Sequence, residues 1–430
     1  MKQLFDLFYQ STGVCTDTRK IQPDCLFICL SGANFNGNTF ASQALELGAK
    51  YVISDDAAFC TDERIHLVDD TLIYLQQLAL QHRNKFDIPV IGITGSNGKT
   101  SSKELIREVL SQKYTVLATE GNLNNHIGVP LTLLQLNKQH EIAIIEMGAN
   151  KFKDIEELCE IAEPNYGIIT NIGKAHLQGF LNFEGVLKTK KELYTSVSKN
   201  GGTLFYNNDD ETLKNNLPAG TKIFSFGTQG NTDVSGELCS LTPYVNMKWR
   251  TATYESGEIE TSMIGKYNFY NFLAAISFGV YFKVENELIS KAISSYQPAN
   301  NRSQVQKTER NTLILDAYNA NPTSMRSALE SFALIENNRK LAILGDMFEL
   351  GNESSAEHKN IISMLDELGL SSFLVGDRFY EHKNGAGEKL AFFRNKDEMK
   401  QFLDSESPQG SLILLKGSRG IGLEDLVEKL

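Results

Sequence analysis

Three features of the sequence predict an α/β protein of three domains: its length, the alternation of apolar runs with helical stretches, and a change of period part-way along. At 430 residues the chain holds two to four units of the roughly 150 residues that a globular domain prefers. With 41% hydrophobic and 22% charged residues, collagen-like, coiled-coil and wholly disordered chains are excluded. Residues 1–85 carry the apolar runs CLFICL and YVIS, with helical stretches at 41–48 and 72–82, which predicts a small α/β unit.

Residues 86–298 form the second predicted domain. Runs at 89–92, 115–118, 142–146 and 166–171 alternate with helical stretches, the pattern of a parallel sheet flanked by helices. From 222 to 263 the period becomes two, with a turn at Ser256 and Gly257, so antiparallel strands are expected in or beside the sheet. A helix at 271–282 closes this domain. Its apolar run from 273 to 282 is the longest in the chain, too short for a membrane span, and reads as one side of a core helix. The turn-rich PANNRS then leads into residues 299–430, where NTLILD, LAILGD, SSFLVGD, LAFFRN and SLILLKGS alternate with helices as in a doubly wound, Rossmann-like sheet.

A net charge of −11 repels polyphosphate chains, so nucleic acid is not an expected partner. The six cysteines form no CxxC pair and read as reduced, mostly buried thiols. The start MKQLFDLFYQ carries Asp6 and no unbroken apolar core, unlike a secretory leader, which points to a cytoplasmic protein with no membrane insertion.

The strongest local signal is PVIGITGSNGKTSSKELIREVL, an apolar strand running through a glycine-rich turn into a helix. Gly95 and Gly98 let the backbone fold around phosphate oxygens, Lys99 adds a charge and Thr100 a Mg2+ ligand; Ser96, Asn97 and Ser101 complete the loop. The spacing departs from GxxxxGK[ST], because Ile93 stands where the first glycine is expected. Glu146 ends the run EIAIIE and either holds Mg2+ beside that loop or faces solvent. NIGKAHLQGF presents His176 at the same sheet edge, as a structural or a catalytic residue. On the helix of FEGVLKTKKELYTSV, Phe183, Val186, Leu187, Leu193, Tyr194 and Val197 form one stripe with Lys190 near its centre, while Lys188 and Lys191 lie off it. Such a lysine pairs with an acid, touches phosphate, takes up CO2 as a metal-binding carbamate, or lays its stem along the core with its charge reaching water.

Asn268 and Asn271 stand one helical turn apart, suited to a base or ribose, or to helix capping. In the third block Asp316, Tyr318, Asn319 and Asn321 follow one strand and Lys416, Ser418 and Arg419 another, with Arg302 upstream. Turn chemistry accounts for the asparagines, whereas the accumulated donors and cations suit a second anion or carboxylate site.

Taken in order, GITGSNGKTS, NLNNHIGVPLTLL, EMGAN, NIGKAHLQGF, KTKKELY, GKYNFYNFLAA, LDAYNANPTSM, LGDMFELG and LLKGSRG resemble the Mur ligases, over nearly the whole chain. The last three motifs are most similar to the branch that adds D-alanyl-D-alanine to UDP-N-acetylmuramoyl-tripeptide. That resemblance implies an N-terminal UDP-binding domain, a central ATPase and a C-terminal domain that closes on nucleotide and amine. It implies ATP and Mg2+; a monomer is expected. It further implies Thr18, Arg19 and Ser31 at the UDP substrate; Asn124 and Asn125 near substrate; and Glu146, His176 and a carbamylated Lys190 at the metal. Asn268, Asn271, Arg302, Asp316 and Tyr318 fall at ATP, and Asn319, Asn321, Lys416, Ser418 and Arg419 at substrate. FNGN in place of FDGH at Asn36 and Asn38, and Tyr267 in place of His, depart from the family pattern. Two alternatives are another amino-acid-adding ligase of this type, such as one resembling folylpolyglutamate synthase, and a non-catalytic nucleotide-regulated UDP-sugar-binding protein. YNANP argues against the first; Lys99, Thr100, Glu146 and Lys190 together argue against the second.

Overall fold

The computed structural model of the protein describes residues 2–175, 177–299 and 301–430. Three α/β units follow one another. The first is built on four short parallel strands, Val14–Cys15, Leu26–Ile28, Tyr51–Ser54 and Ile65–Leu67, that lie side by side in chain order. Its last helix, Thr71–Arg83, begins where the Asp70 side chain accepts the Ile73 N–H, which meets one of the donors a helix start leaves unpaired. This helix joins the first unit to the second: Leu75 and Leu78 share an apolar cluster with Leu133 and Leu158. Arg83, 8% exposed, carries its guanidinium to the carbonyls of Ala162 (3.0 Å) and Glu163 (3.3 Å), the carboxyl end of a central-domain helix.

The second unit is a nine-stranded sheet. Strand Val90–Thr94 lies between Tyr166–Ile169 and Ile142–Glu146, all parallel and buried on both faces, as the unbroken apolar runs require. The period-two region corrects one expectation. Lys222–Gly227 is parallel to Thr203–Asn207, and Val234–Ser240 meets it in parallel; antiparallel pairing begins only at Asn246–Arg250 and continues to Ile259–Glu260. A period of two reports one buried face, not strand direction. The reversal also falls earlier than Ser256 and Gly257: the Thr251 N–H donates to the Tyr254 carbonyl at 2.8 Å, and the Ser256 hydroxyl turns inward to accept the Trp249 N–H at 2.9 Å.

The closing helix begins at Lys266 and runs to Tyr281, buried around its whole circumference from Phe269 to Gly279 except at Tyr270, rather than along one side. It is covered by helix Lys99–Leu110 on one side and by strands Lys222–Gly227 and Val234–Ser240 on another. A further helix, Asn286–Ser295, follows it.

The third unit has six strands in the order Gln304–Lys307, Thr312–Leu315, Leu412–Lys416, Lys340–Gly345, Ser371–Val375 and Leu390–Phe393. Only the first pairing is antiparallel. All five predicted apolar runs are strands here. Of the six free cysteines Cys25, Cys29 and Cys159 are buried, and Cys15, Cys60 and Cys239 are partly exposed, so burial is less general than expected. No helix among the described residues is long and apolar enough to cross a membrane.

Candidate active site

Carboxyl ends of strands from the second and third units face each other across a cleft of about 1280 Å³. Its floor is the phosphate loop between strand Val90–Thr94 and helix Lys99–Leu110. Gly98 precedes the helix at φ +76, and a Cβ there would lie 2.8 Å from Asn271 Oδ1. A side chain at Gly95 would meet Thr170 Oγ1 at 2.0 Å. Alanine at position 98 is therefore expected to destabilise the fold by about 1–2 kcal/mol, the cost of left-handed backbone to an L-residue. A denaturant melt against wild type measures this, and unchanged stability would refute it.

Lys99 turns its ammonium back onto the carbonyls of Gly95 (2.8 Å) and Ser96 (3.3 Å). Burial pushes its pKa down; the Glu146 charge opposes this and Arg302 adds to it. Thr100, 7% exposed, donates its hydroxyl to Glu146 Oε2 at 2.9 Å, while Asn124 Nδ2 donates to Glu146 Oε1 at 2.8 Å. Glu146 itself is 1% exposed. The strand-end glutamate is thus a buried carboxylate coupled to the loop. Thr100 and Glu146 bring a hydroxyl and a carboxylate together, hard oxygen donors of the kind Mg2+ takes alongside phosphates. No group of three His, Cys, Asp or Glu suited to hold a metal by itself occurs among the described residues.

Lys190 is 2% exposed on helix Phe183–Lys199, at the centre of the stripe the sequence defines. Burial drives its pKa well below the usual lysine value; the Lys99 charge adds to this, and Asp154, Glu192 and Glu146 oppose it. His176 lies outside the described residues.

Asn268 is fully buried and stands behind Asn271: Asn271 Nδ2 donates to Asn268 Oδ1 at 2.8 Å, and Ser102 Oγ donates to Asn271 Oδ1 at 3.0 Å. Asn271 lines the cleft. Tyr267, at the family's histidine position, bonds Ser303 Oγ at 2.8 Å in the segment leading into the third unit. From that unit come Arg302, stacked 3.7 Å from the Tyr318 ring, and Lys416, 3% exposed and paired with Asp316 at 2.5 Å. Asn321 caps helix Pro322–Leu334 with its Oδ1 and extends its Nδ2 to Asn97 Oδ1 of the phosphate loop, 2.7 Å away. A second bridge joins Lys174 and Glu357 at 2.7 Å.

The cleft is also lined by Ser96, Ser101, Asn125 and Asn319; the side-chain oxygens of the last two serve local turns. Ser418 is buried and accepts the Phe348 N–H at 2.9 Å, and Arg419 is exposed, 5.3 Å from the Tyr318 ring. Thr18, Arg19 and Ser31 lie on the first unit, away from this cleft. Arg19 pairs with Asp17 at 2.7 Å and holds its carboxyl down at about 2. Ser31 donates to Asn36 Oδ1, and Asn38 is a buried clasp whose amide donates to Asp55 at 2.7 Å. The FNGN departure is therefore satisfied within the fold.

Lys103 and Thr119 also serve this site, although neither belongs to a sequence motif that marks it. Lys103 is fully buried, its ammonium on the Thr119 carbonyl, and the Thr119 hydroxyl accepts the Glu146 N–H at 3.0 Å. One signal was available: at 100° per residue Lys103 shares the helix face of Lys99, Ile106 and Leu110.

A phosphate loop, a buried carboxylate coupled to it and a cation-bearing sheet across the same cleft define an enzyme that works on a nucleotide with groups from two domains. The chain belongs to the Mur ligase family. Family models match in sequence: Mur ligase family, catalytic domain, over residues 10–92; Mur ligase middle domain over 93–279; and Mur ligase, glutamate ligase domain, over 301–419. A UDP-N-acetylmuramoyl-tripeptide--D-alanyl-D-alanine ligase of Bacillus subtilis is 35% identical, covering 97% of this chain and 93% of the relative. The ligase of the same name from Escherichia coli is 32% identical, covering 97% of this chain and 93% of the relative. Among solved structures, MurF from Acinetobacter baumannii superposes with a TM-score of 0.90 at 31% identity, covering 100% of this chain and 98% of that one. MurF ligase from Thermotoga maritima in complex with ADP does so at 0.87 and 25% identity, covering 99% and 97%.

Proposed function

We infer that this chain joins D-alanyl-D-alanine to the peptide carboxylate of UDP-N-acetylmuramoyl-tripeptide, converting ATP to ADP and phosphate, in the cytoplasm and as a monomer. The observation that carries this reading is the Thr100–Glu146–Asn124 cluster set against the phosphate loop, in a chain alignable over 97% of its length with a ligase of that activity. We take residues 1–85 as the UDP-binding unit, 86–298 as the ATPase and 299–430 as the unit that closes with the amine.

A carboxylate is a poor electrophile at neutral pH, so it must first be activated. Its oxygen attacks the γ-phosphorus of ATP, the bond to the β,γ-bridging oxygen breaks, and ADP leaves an acyl phosphate. The D-alanyl-D-alanine amine then attacks the acyl carbon, loses a proton, and phosphate departs. Lys99 and the loop amides hold the β- and γ-phosphates, and Asn271, Arg302, Asp316 and Tyr318 hold the nucleoside. Thr100 and Glu146 would hold Mg2+, which when bound screens the phosphate charge that repels the incoming carboxylate. Burial lowers the Lys190 pKa and so favours the neutral amine, the form that adds to CO2 carbon, releasing a proton and giving a carbamate. With His176 this carbamate would supply further oxygen and nitrogen donors near the acyl phosphate. Positioning carries the catalysis, and no enzyme nucleophile is required. The Asn97–Asn321 and Lys174–Glu357 bridges support a closed arrangement in which the phosphate loop and the amine-binding unit act together.

Phosphate release measured with UDP-muramoyl-tripeptide and ATP tests the reading. Release is expected to depend on D-alanyl-D-alanine and to stay at background with single amino acids. Equal release with lysine, glutamate or no amine would refute it.

A further inference from the structure

Beyond the groups that touch nucleotide, Lys103 is a buried cation of the phosphate-loop helix itself with no part in the scheme above. Lys103 is 0% exposed on the phosphate-loop helix, four residues beyond Lys99. Its ammonium lies 2.9 Å from Glu104 Oε1 and against the Thr119 carbonyl. Glu104 is shared with Arg107, which holds its other oxygen at 2.9 Å. A buried ammonium is expensive unless paired, and an apolar side chain of the same length would fill this space at least as well for stability alone.

What distinguishes Lys103 is the object it holds. Thr119 begins the loop that follows strand Val116–Ala118, and its hydroxyl accepts the backbone N–H of Glu146 at 3.0 Å. Five residues on, Asn124 donates its amide to Glu146 Oε1 at 2.8 Å, and its carbonyl accepts the Gly148 N–H at 2.7 Å. Gly148 admits this contact only because it lacks a side chain, since a Cβ there would meet Asn124 Oδ1 at 2.9 Å. Glu146 in turn accepts the Thr100 hydroxyl, and Thr100 stands one turn before Lys103 on the same helix. The bonds close a ring: helix to loop through Lys103, loop to strand through Thr119 and Asn124, strand back to helix through Glu146 and Thr100.

We propose that Lys103 is a positioning residue that sets the spacing of the two oxygen ligands, Thr100 and Glu146, by anchoring the loop that holds Glu146. The proposal rests on the magnesium-nucleotide reading of the cleft. It requires that loosening the ring weaken Mg2+ and leave the grip of the loop amides on phosphate intact.

Calorimetry on the full chain, without acceptor substrates, separates these effects. Mg2+ is titrated into ADP-saturated wild type, K103M, T119V and the double variant, and ADP is titrated into each without metal. K103M is expected to raise the Mg2+ Kd about tenfold, as the loss of groups that orient a metal ligand commonly does, with metal-free ADP affinity changed less than about twofold. T119V is expected to act in the same direction, and the double variant no more strongly than the larger single change, because both cut one ring. Should K103M fail to fold, T119V decides alone. Unchanged Mg2+ affinity in folded variants, or effects that multiply in the double variant, would overturn the proposal. Wild type that fails to bind ADP with Mg2+ would instead overturn the nucleotide reading on which it rests.

Discussion

Glu146→Gln is expected to lower kcat about 10³-fold while the protein stays folded, a loss of the size that removal of a metal's charge stabilisation produces. The hydrogen bonds around the residue explain why fold and activity should separate. Glu146 is 1% exposed, with Thr100 Oγ1 and Asn124 Nδ2 each donating to one of its oxygens. An amide at this position keeps its oxygen toward Asn124, which can only donate there, and turns its NH2 toward Thr100, whose hydroxyl can accept instead. Each oxygen and nitrogen of the cluster keeps a partner and only the Thr100 hydroxyl proton loses its acceptor, so the melting temperature should shift by no more than about 4 °C, the effect of about 1 kcal/mol. What disappears is the negative charge and one anionic ligand for Mg2+. Steady-state rates across a Mg2+ series and a thermal melt on the same preparation measure both. Retention of more than a tenth of the wild-type rate at every Mg2+ concentration would remove Glu146 from the metal site.

The phosphate loop was legible because its constraints are local. Glycines at 95 and 98, a lysine and a threonine, with a buried strand before and an amphipathic helix after, can be read from the single stretch 89–110. Lys190 was legible for a related reason, since helical geometry alone puts it on the apolar stripe. The departures arise where partners are distant in the chain. Val234–Ser240 is parallel to one neighbour and antiparallel to the other, and side-chain alternation is the same in both cases. Helix Lys266–Tyr281 is buried on nearly every side because strands and helices cover it, which its own sequence cannot specify. Asn97 and Asn321 are 224 residues apart in sequence and bonded in the fold. Each has a sufficient local explanation, a glycine-rich turn and a helix cap, so neither motif discloses the other. Lys103 was hidden by its type, because a lysine at the edge of an apolar face ordinarily sends its charge to water. Here the Thr119 carbonyl takes it instead.

Lys190→Met is expected to make the apoprotein more stable and nearly inactive. Burial depresses the Lys190 pKa, with the Lys99 charge adding to the effect; in the unfolded chain the side chain titrates near the ordinary lysine value of about 10.4. Between the folded and unfolded pKa values the unfolded state binds more protons, so this group's contribution to stability rises with pH and is most adverse below that window. Methionine removes the titration and keeps an unbranched stem in the stripe formed by Val186, Leu193 and Val197. In CO2-free buffer the variant should therefore exceed wild type by about 1 kcal/mol near neutral pH, the usual gain when a functionally strained group is replaced. That advantage should shrink as pH rises toward 10. The rate should fall at least about 10²-fold, in line with loss of an electrostatic group at the reaction centre. Bicarbonate distinguishes the carbamate from a bare amine. Labelled bicarbonate should give wild type a carbamate carbon resonance and a higher melting temperature, and should leave the methionine variant unchanged in both. A variant that loses stability together with activity, with no pH trend in the difference, would make Lys190 a packed structural lysine and take the carbamate out of the scheme.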